Sequence, residues 1–269
     1  MIVAGIDVGG KNVHIVIKKD GWILGQATDP AGINKAEAVE HLYDEILKKT
    51  GLARKDVERV VATGSAAKRV AFATAIIPDA AADARGINKL IPSARTVIDV
   101  GAEEGRAIKV GPRGKVLDFA LNEKCAAGTG TFVETMSRAL EMSVEDMSKV
   151  TFQSTQTLSI NAQCAVFGES EVISLIHQKV PKPDIARAVM IAVASRVASV
   201  ARMVGLDKDV VLVGGMAKNA GFVDCLEKDI QMKVLVPEAP DFVGALGAAE
   251  LALAGFVAEG IRARAEKVS

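Results

Sequence analysis

Two cysteines are the residues of this chain best suited to metal or redox chemistry. Cys125 and Cys164 each stand where the sequence predicts the first residue of a helix, and small residues followed by an amphipathic run come after each. A helix start presents free backbone N–H groups and a positive dipole, which favour a thiolate over a thiol. Both positions are therefore candidates for anionic sulfur, and burial as small hydrophobic residues is the alternative at this point.

Two thiolates are half of the set that a four-iron cluster needs. Such a cluster is held by four cysteines. The third cysteine of the chain, Cys225, lies in a predicted helix over 221–230, where it is expected to fill space in the core or on the surface. The missing ligands would have to come from another chain, so the pair predicts an interface as well as a metal centre. The histidines share no metal-ligand spacing, so zinc is not expected; they are His14, His41 and His177.

Four glycine-rich turns point to a second kind of chemistry. A turn of this type after a buried strand lets backbone N–H groups approach phosphate, and an acid at the strand end can hold Mg²⁺ through water. The first turn spans 7–12, its Asp-Val-Gly pattern returns at 99–102, and further turns occupy 127–130 and 214–219. One such turn is also a common hairpin feature, but four of them predict a nucleotide.

Composition narrows the class of protein. The 269 residues include 33 basic and 33 acidic side chains, 49% hydrophobic residues and 4% aromatic residues. A chain with this balance can bury a sizeable core, but it lacks the positive surface and the stacking rings that nucleic acid binding requires. Residues 1–9 do not resemble a signal peptide and no uncharged apolar run reaches membrane-spanning length, so a cytoplasmic protein with neither a nucleic acid nor a membrane partner is expected.

An internal repeat organises the chain. The segment 96–101 (TVIDVG) matches 4–9 (AGIDVG), and a hairpin follows each of them. A period of this length is too long for a solenoid and predicts two related subdomains, 1–92 and 93–269, with a cleft between them. The other predicted elements are strands at 2–8, 57–62 and 209–213, hairpins over 13–27 and 106–119, and helices over 35–49, 126–141, 165–179, 184–205, 221–230 and 243–258.

These elements resemble the superfamily of actin, sugar kinases and heat-shock ATPases, which have an α/β fold of duplicated ribonuclease-H-like subdomains around an interdomain nucleotide cleft. The resemblance implies that Asp7 and Asp99 position Mg²⁺ and water. It also implies two phosphate loops, a phosphate-proximal turn next to Cys125, and an adenosine-binding turn. The implied ATP ligands are Gly9, Gly10, Lys11, Asn12, Gly101, Ala102, Gly128, Thr129, Gly130, Gly214, Gly215 and Asn219. Lys11 is equally compatible with a solvated turn residue.

Two longer motifs sharpen the resemblance. Residues 122–130 (NEKCAAGTG) and 164–173 (CAVFGESEVI) are similar to those of the BadF/BadG/BcrA/BcrD iron–sulfur ATPases, which activate 2-hydroxyacyl-CoA dehydratases and power benzoyl-CoA reductases. The resemblance implies a [4Fe–4S] cluster on the two-fold axis of a dimer, with Cys125 and Cys164 as the ligands from this chain. It further implies ferredoxin or flavodoxin as reductant and an acyl-CoA reductase or dehydratase as the electron acceptor.

Two departures bear on the branch of the family. Where homodimeric activators have Gly-Gln-Asp, this chain has Ala102-Glu103-Glu104, and a Cys-His-Ala stretch is replaced around 82–86 (ADARG). Both changes resemble the small ATP-binding D subunit of benzoyl-CoA reductase, which serves anaerobic aromatic degradation and pairs with a related ATP-binding subunit. Glu103 is then the third catalytic candidate, although a carboxylate cannot donate the hydrogen bonds of an amide. The alternatives are a homodimeric dehydratase activator, an amino-sugar kinase and an actin-like assembly ATPase.

Overall fold

The computed structural model describes residues 1–122, 129–160 and 165–255. The chain divides into two compact units. Unit 1 contains Met1–Pro92, Pro112–Lys115 and the chain from Asp241 onward, and unit 2 contains Ser93–Gly111 and Val116–Pro240. No helix among the described residues is both long enough and apolar enough to cross a membrane.

The helices and strands alternate along the chain in an α/β order. They are β1 (Ile2–Val8), β2 (Asn12–Lys19), β3 (Trp22–Pro30), α1 (Lys35–Thr50), β4 (Arg59–Thr63), β5 (Ala75–Ile76), α2 (Asp79–Leu90), β6 (Thr96–Val100), β7 (Gly105–Val110), β8 (Val116–Leu121), α3 (Gly130–Ala139), α4 (Val144–Val150), α5 (Ala165–His177), α6 (Lys182–Val204), β9 (Val210–Val213), α7 (Ala220–Ile230), β10 (Val234–Leu235) and α8 (Val243–Leu253).

The two units contain sheets of the same topology. The strand order is β3-β2-β1-β4-β5 in unit 1 and β10-β9-β6-β7-β8 in unit 2. In each sheet the first strand pairs antiparallel with the next strand of its hairpin and parallel with the strand on its other side. The duplicated α/β fold that the repeat predicted is thereby confirmed.

Unit 1 forms its main core between its sheet and α1. The side chain of Asn34 accepts a hydrogen bond from the backbone of Glu37 and caps the helix start, and Gly51 ends the helix in a left-handed conformation. Because the apolar residues of α1 recur at helical spacing, one face of the helix is buried while the other stays in water. That buried face consists of Val39, Leu42, Tyr43, Ile46 and Leu47.

The C-terminal helix α8 packs in unit 1 through its small residues. A side chain at Gly5 would overlap the backbone of α8, and one at Gly247 would overlap the backbone of α2. A buried ion pair between Lys18 on β2 and Glu250 on α8 adds a polar contact to this packing. The sequence division assigned this helix to the second subdomain, and the structure differs because glycine on both surfaces lets α8 approach β1 and α2. The division at residues 92 and 93 itself stays a prediction.

Unit 2 is built around the long helix α6. Its buried side chains follow one another at helical spacing for most of its 23 residues, and they include Val189, Val193 and Val197. They pack against strand residues such as Ile98 and Leu212. The alanine and valine stripe over 185–204 therefore belongs to the core of unit 2.

Candidate functional site

Asp7 and Asp99 occupy equivalent positions in the two sheets. Each lies one residue before the carboxyl end of the first strand of its unit, and the neighbouring parallel strand pairs Asp7 with Thr63 and Asp99 with Val213. On the antiparallel side, Asp7 is opposite His14, and Asp99 is opposite Arg106. The same register therefore delivers a carboxylate to the same edge of both sheets, where ligands bind in open α/β folds.

A glycine after the parallel strand accommodates each carboxylate. Gly64 and Gly214 have φ angles of +96° and +83°, a region that side chains rarely adopt. A Cβ atom at Gly64 would overlap Oδ1 of Asp7, and one at Gly214 would lie 2.5 Å from Oδ1 of Asp99. Gly214 was predicted as a site residue and Gly64 was not, because the equivalence of the two glycines becomes visible only when the strands are aligned.

The two phosphate-loop candidates have the same backbone turn. We call Gly9–Asn12 loop 1 and Gly101–Glu104 loop 2. In loop 1 the Gly9 amide donates a hydrogen bond of 3.0 Å to the Asn12 carbonyl, and in loop 2 the Gly101 amide donates one of 2.9 Å to Glu104. The predicted tight turns are thus present at both positions, one in each unit.

One lysine belongs to loop 1 and a second one contacts it. The side chain of Lys35, the first residue of α1, donates a hydrogen bond of 3.2 Å from Nζ to the Gly9 carbonyl. Lys11 is exposed, and its carbonyl accepts a hydrogen bond of 2.7 Å from Ala31. Lys35 was not predicted as a site residue, since nothing in the loop motif points to a side chain that far along the chain.

Loop 2 is rich in acids and contacts one buried arginine. The Nε atom of Arg106 lies 3.4 Å from Oδ2 of Asp99, and its Nη2 atom donates a hydrogen bond of 3.1 Å to Oε2 of Glu104. The Arg106 side chain is 10% exposed, whereas that of Glu104 is 52% exposed. The side chain of Glu103, the predicted catalytic carboxylate of this loop, is exposed.

Loop 2 is also hydrogen bonded to the start of α3. Gly130 donates a backbone bond of 2.9 Å to Gly101, and Thr131 donates from both its amide (2.9 Å) and its hydroxyl (2.6 Å) to the Ala102 carbonyl. Thr129 is buried and extended, with φ of −130° and ψ of 165°, so α3 begins at Gly130. Of the helix predicted over 126–141, the described part is α3 from Gly130 onward, and the predicted helix start at Cys125 lies outside the described residues.

The predicted adenosine turn follows β9 in unit 2. Gly214 leads into a short 3-10 helix over Gly215–Lys218, and the Asn219 side chain caps α7 by accepting a hydrogen bond of 2.9 Å from Phe222. Asn219 is 6% exposed, and its Nδ2 atom has no hydrogen-bond partner among the described residues. A buried amide donor of this kind is available to a ligand.

The start of α8 lies close to Asp7. A Cβ atom at Gly244 would be 2.5 Å from Oδ2 of Asp7 and 3.5 Å from Oδ1 of Asp83. Two carboxylates therefore lie near the same point, where the free amides at the start of a helix favour negative charge. Asp83 belongs to the segment 82–86 that departs from the activator pattern, but the sequence analysis did not assign it to the site.

The cluster candidates Cys125 and Cys164, and the nucleotide candidate Gly128, lie outside the described residues. Helix α5 begins at Ala165, directly after Cys164. Cys225 is 4% exposed in α7, and burial raises the pKa of its thiol to about 11, which suits the packing role expected for it. Within residues 1–122, 129–160 and 165–255, no group of three or more His, Cys, Asp and Glu side chains is arranged to hold a metal ion.

Duplicated mixed sheets that deliver an acid and a glycine turn at the same strand end are the fold of the actin, sugar-kinase and heat-shock ATPase superfamily. A glucokinase of the ROK family from Streptomyces griseus shares this fold at 15% identity, with a TM-score of 0.59 over 93% of this chain and 99% of the glucokinase. The chain belongs to the BadF/BadG/BcrA/BcrD ATPase family, whose model matches residues 4–252.

Relatives within the family are similar over nearly their whole length. The activator of lactoyl-CoA dehydratase from Anaerotignum propionicum is 39% identical, over 93% of this chain and 96% of the relative. The 2-hydroxyisocaproyl-CoA dehydratase activator from Clostridioides difficile is 36% identical over 93% and 94%, and a benzoyl-CoA reductase subunit from Thauera aromatica is 32% identical over 92% of each chain. The solved Clostridium difficile activator with bound ADPNP superimposes with a TM-score of 0.89 at 35% identity, over 99% of this chain and 98% of that chain.

Proposed function

We propose that this protein is an ATP-hydrolysing iron–sulfur electron donor for an acyl-CoA-processing enzyme. The observation that carries the proposal is the pair of equivalent carboxylates, Asp7 and Asp99, each held against a glycine and followed by a tight turn. Membership in the ATPase family and the ADPNP bound to the solved Clostridium difficile activator support ATP as the ligand.

Different described residues are suited to bind the phosphates, the Mg²⁺ ion, the attacking water and the nucleoside of ATP. Backbone amides of loops 1 and 2 bind phosphate oxygens, and Lys35 adds positive charge beside loop 1. Asp7 and Asp99 are suited to orient Mg²⁺ and the attacking water, because carboxylate oxygens are the ligands that Mg²⁺ prefers. Asn219 donates from its unused Nδ2 atom to the nucleoside. The predicted catalytic role of Glu103 is to accept a hydrogen bond from that water.

The thiol donors of the chain fit a shared cluster. Cys125 and Cys164 are soft thiolate ligands of the kind that hold iron–sulfur clusters, and they supply half of a set of four. A homologous chain, identical or related, would supply the other half. When bound, a [4Fe–4S] cluster stores and delivers one electron, received from ferredoxin or flavodoxin.

The start of α3 offers a route from ATP to this site. Loop 2 is bonded through three hydrogen bonds to Gly130 and Thr131, and Cys125 precedes that pair by only a few residues. A change in the position of loop 2 on hydrolysis would therefore act on the segment that carries a cluster ligand.

A cytoplasmic location stays a prediction.

Two partner enzymes are compatible with this role. The higher identities to the lactoyl-CoA and 2-hydroxyisocaproyl-CoA dehydratase activators favour a 2-hydroxyacyl-CoA dehydratase as acceptor. The acids of loop 2 and the segment 82–86 favour a benzoyl-CoA reductase, with a heterodimer of related ATPase subunits. The dehydratase has the stronger support, because its two activators are 39% and 36% identical to this chain and the reductase subunit is 32% identical over a similar length.

The test is ATP-dependent electron transfer under anaerobic conditions. The purified protein is reduced with dithionite and mixed in turn with a 2-hydroxyacyl-CoA dehydratase and with benzoyl-CoA reductase catalytic subunits. We expect ATP hydrolysis to activate one acceptor, and the non-hydrolysable ADPNP not to sustain turnover. ATP hydrolysis that depends on an amino sugar and proceeds without iron would instead identify the chain as a kinase of the same fold.

A further inference from the structure

Loops 1 and 2 share one backbone geometry but differ in charge. Loop 1 has Asp7 on its strand and is accompanied by Lys11 and Lys35. Loop 2 and the end of its strand have three acids within six residues: Asp99, Glu103 and Glu104. Arg106 contacts two of them, Asp99 and Glu104. A polyphosphate that approaches loop 2 therefore meets negative charge that loop 1 does not present.

We propose that Arg106 is a positioning residue of the nucleotide site, which makes loop 2 compatible with the phosphates of ATP by neutralising Asp99 and holding Glu104. The inference deepens the proposed function and rests on ATP being the ligand. Like charges brought together at a binding site cost much of the affinity that the other contacts provide. Because Arg106 is already paired with Asp99 and Glu104, it reduces their repulsion of phosphate before ATP binds.

The place of Arg106 in the sheet supports this role. The residue lies directly opposite Asp99 in the β6–β7 ladder, so the two side chains leave the sheet on the same face. Its guanidinium spans both acids, with Nε at 3.4 Å from Asp99 and Nη2 at 3.1 Å from Glu104. An arginine fork can hold two carboxylates at once, which a lysine ammonium on its flexible stem does less well.

The equivalent position in unit 1 provides an internal comparison. There His14 lies opposite Asp7, and its ring packs edge-on against Phe242 with 5.0 Å between the ring centroids. Loop 1 contains no acid of its own, it includes Lys11, and the Nζ atom of Lys35 lies 3.2 Å from its Gly9 carbonyl. The unit with the additional acids is thus the unit in which the ladder position holds a permanent cation.

The experiment compares ATP and adenosine binding by the full-length protein and three variants. Arg106→Gln exposes the repulsion, Glu104→Gln removes one source of it, and the double variant combines both changes. We expect Arg106→Gln to weaken ATP binding about tenfold while adenosine, which has no phosphate, binds within about twofold of its original affinity. The double variant should recover at least about threefold of the lost ATP affinity, and Glu104→Gln alone should bind ATP slightly more tightly.

Ionic strength and a conservative variant complete the test. Because salt screens charge repulsion between partly exposed groups, the ATP defect of Arg106→Gln should shrink between about 0.05 M and about 0.5 M salt. Arg106→Lys keeps the charge and should stay within about threefold of the original ATP affinity. This variant and the double variant serve as the test if Arg106→Gln does not fold.

Several results would overturn the proposal. Equal loss of ATP and adenosine affinity in Arg106→Gln would identify a packing role, and so would a double variant that is no better than the single one. If the protein without substitutions binds neither ATP nor adenosine, the proposed function itself is overturned. Binding of ATP by the original protein with no effect of Arg106→Gln would leave the proposed function standing and refute the role of Arg106.

Discussion

Replacing Gly214 with alanine should distort the site and destabilise unit 2. Gly214 has φ of +83° and ψ of 176°, a combination that is essentially restricted to glycine. The new Cβ atom would lie 2.5 Å from both Oδ1 of Asp99 and the carbonyl oxygen of Val100. The carbonyl belongs to a strand of the sheet and cannot move cheaply, so the clash must be relieved by moving the turn and the Asp99 side chain.

The expected losses of stability and of ATP hydrolysis in Gly214→Ala follow from the backbone strain and from the overlap of the new Cβ atom. Backbone strain in this region costs about 1–3 kcal/mol, and relief of the overlap adds about 1 kcal/mol more. For a protein of this size, a loss of about 3 kcal/mol lowers Tm by about 6–12 °C. Because a shift of about 1 Å in a catalytic group can reduce turnover about a hundredfold, ATP hydrolysis should fall by about that factor.

The neighbouring residue is a matched control. Gly215 is exposed, lies outside the left-handed region, and would place its Cβ atom in open space. Gly215→Ala should therefore change the free energy of unfolding by no more than about 0.5 kcal/mol. Thermal unfolding and ATP hydrolysis of the two variants are measured side by side. Equal Tm values and equal turnover for Gly214→Ala and Gly215→Ala would refute the reasoning.

Three further predictions concern other parts of the chain. Lys35→Gln should lower ATP affinity about three- to tenfold, because it removes a positive charge beside loop 1. Tm should change little, because the substitution removes one partly buried hydrogen bond, the one from Nζ to the Gly9 carbonyl. Titration with an ATP analogue checks this prediction, and an unchanged affinity contradicts it. Burial raises the pKa of Asp184, but hydrogen bonds from Thr155, Gln156 and Ser154 outweigh it and hold the pKa below its usual range. This stabilisation is present above about pH 4 and fades as the pH falls below it, so Asp184→Asn should lower Tm at pH 7 and less so at about pH 3; an equal loss at both would argue against it. Cys164→Ser should abolish the cluster while ATP still binds, and an unaltered iron content would show the ligand assignment to be wrong.

The sequence predicted the parts of the site that are written in local patterns. The strands that contain Asp7 and Asp99 were found because an apolar run precedes an Asp-Val-Gly motif in both places. Helix α6 was found because its apolar stripe is long and regular. Both signals depend only on neighbouring residues, so they survive without knowledge of the tertiary structure.

Other parts of the site depend on contacts between distant residues. Lys35 and Arg106 acquire their significance from hydrogen bonds and ion pairs that the loop motifs do not encode. The strands β5 and β10 have two residues each, too few to show a period. The helix predicted over 126–141 included Thr129, whereas Thr129 is extended and α3 begins at Gly130 with hydrogen bonds to loop 2.

The position of α8 illustrates the same limit. The helix packs closely against Gly5 and Gly86. The surfaces that receive the helix lie in the first third of the chain, whereas sequence order alone assigned the helix to the second subdomain. The role of a glycine in a strand or helix becomes interpretable once the element that lies over it is known.

The most direct measurement is the iron content and ATP-coupled oxidation of the protein purified without oxygen. A [4Fe–4S] cluster shared by two chains predicts about two iron atoms and two sulfides per chain. After reduction, the cluster signal should be lost upon ATP hydrolysis in the presence of an acyl-CoA-processing acceptor, and kept when ADPNP replaces ATP. A colourless, iron-free protein that hydrolyses ATP only when a sugar is added would contradict an iron–sulfur electron donor.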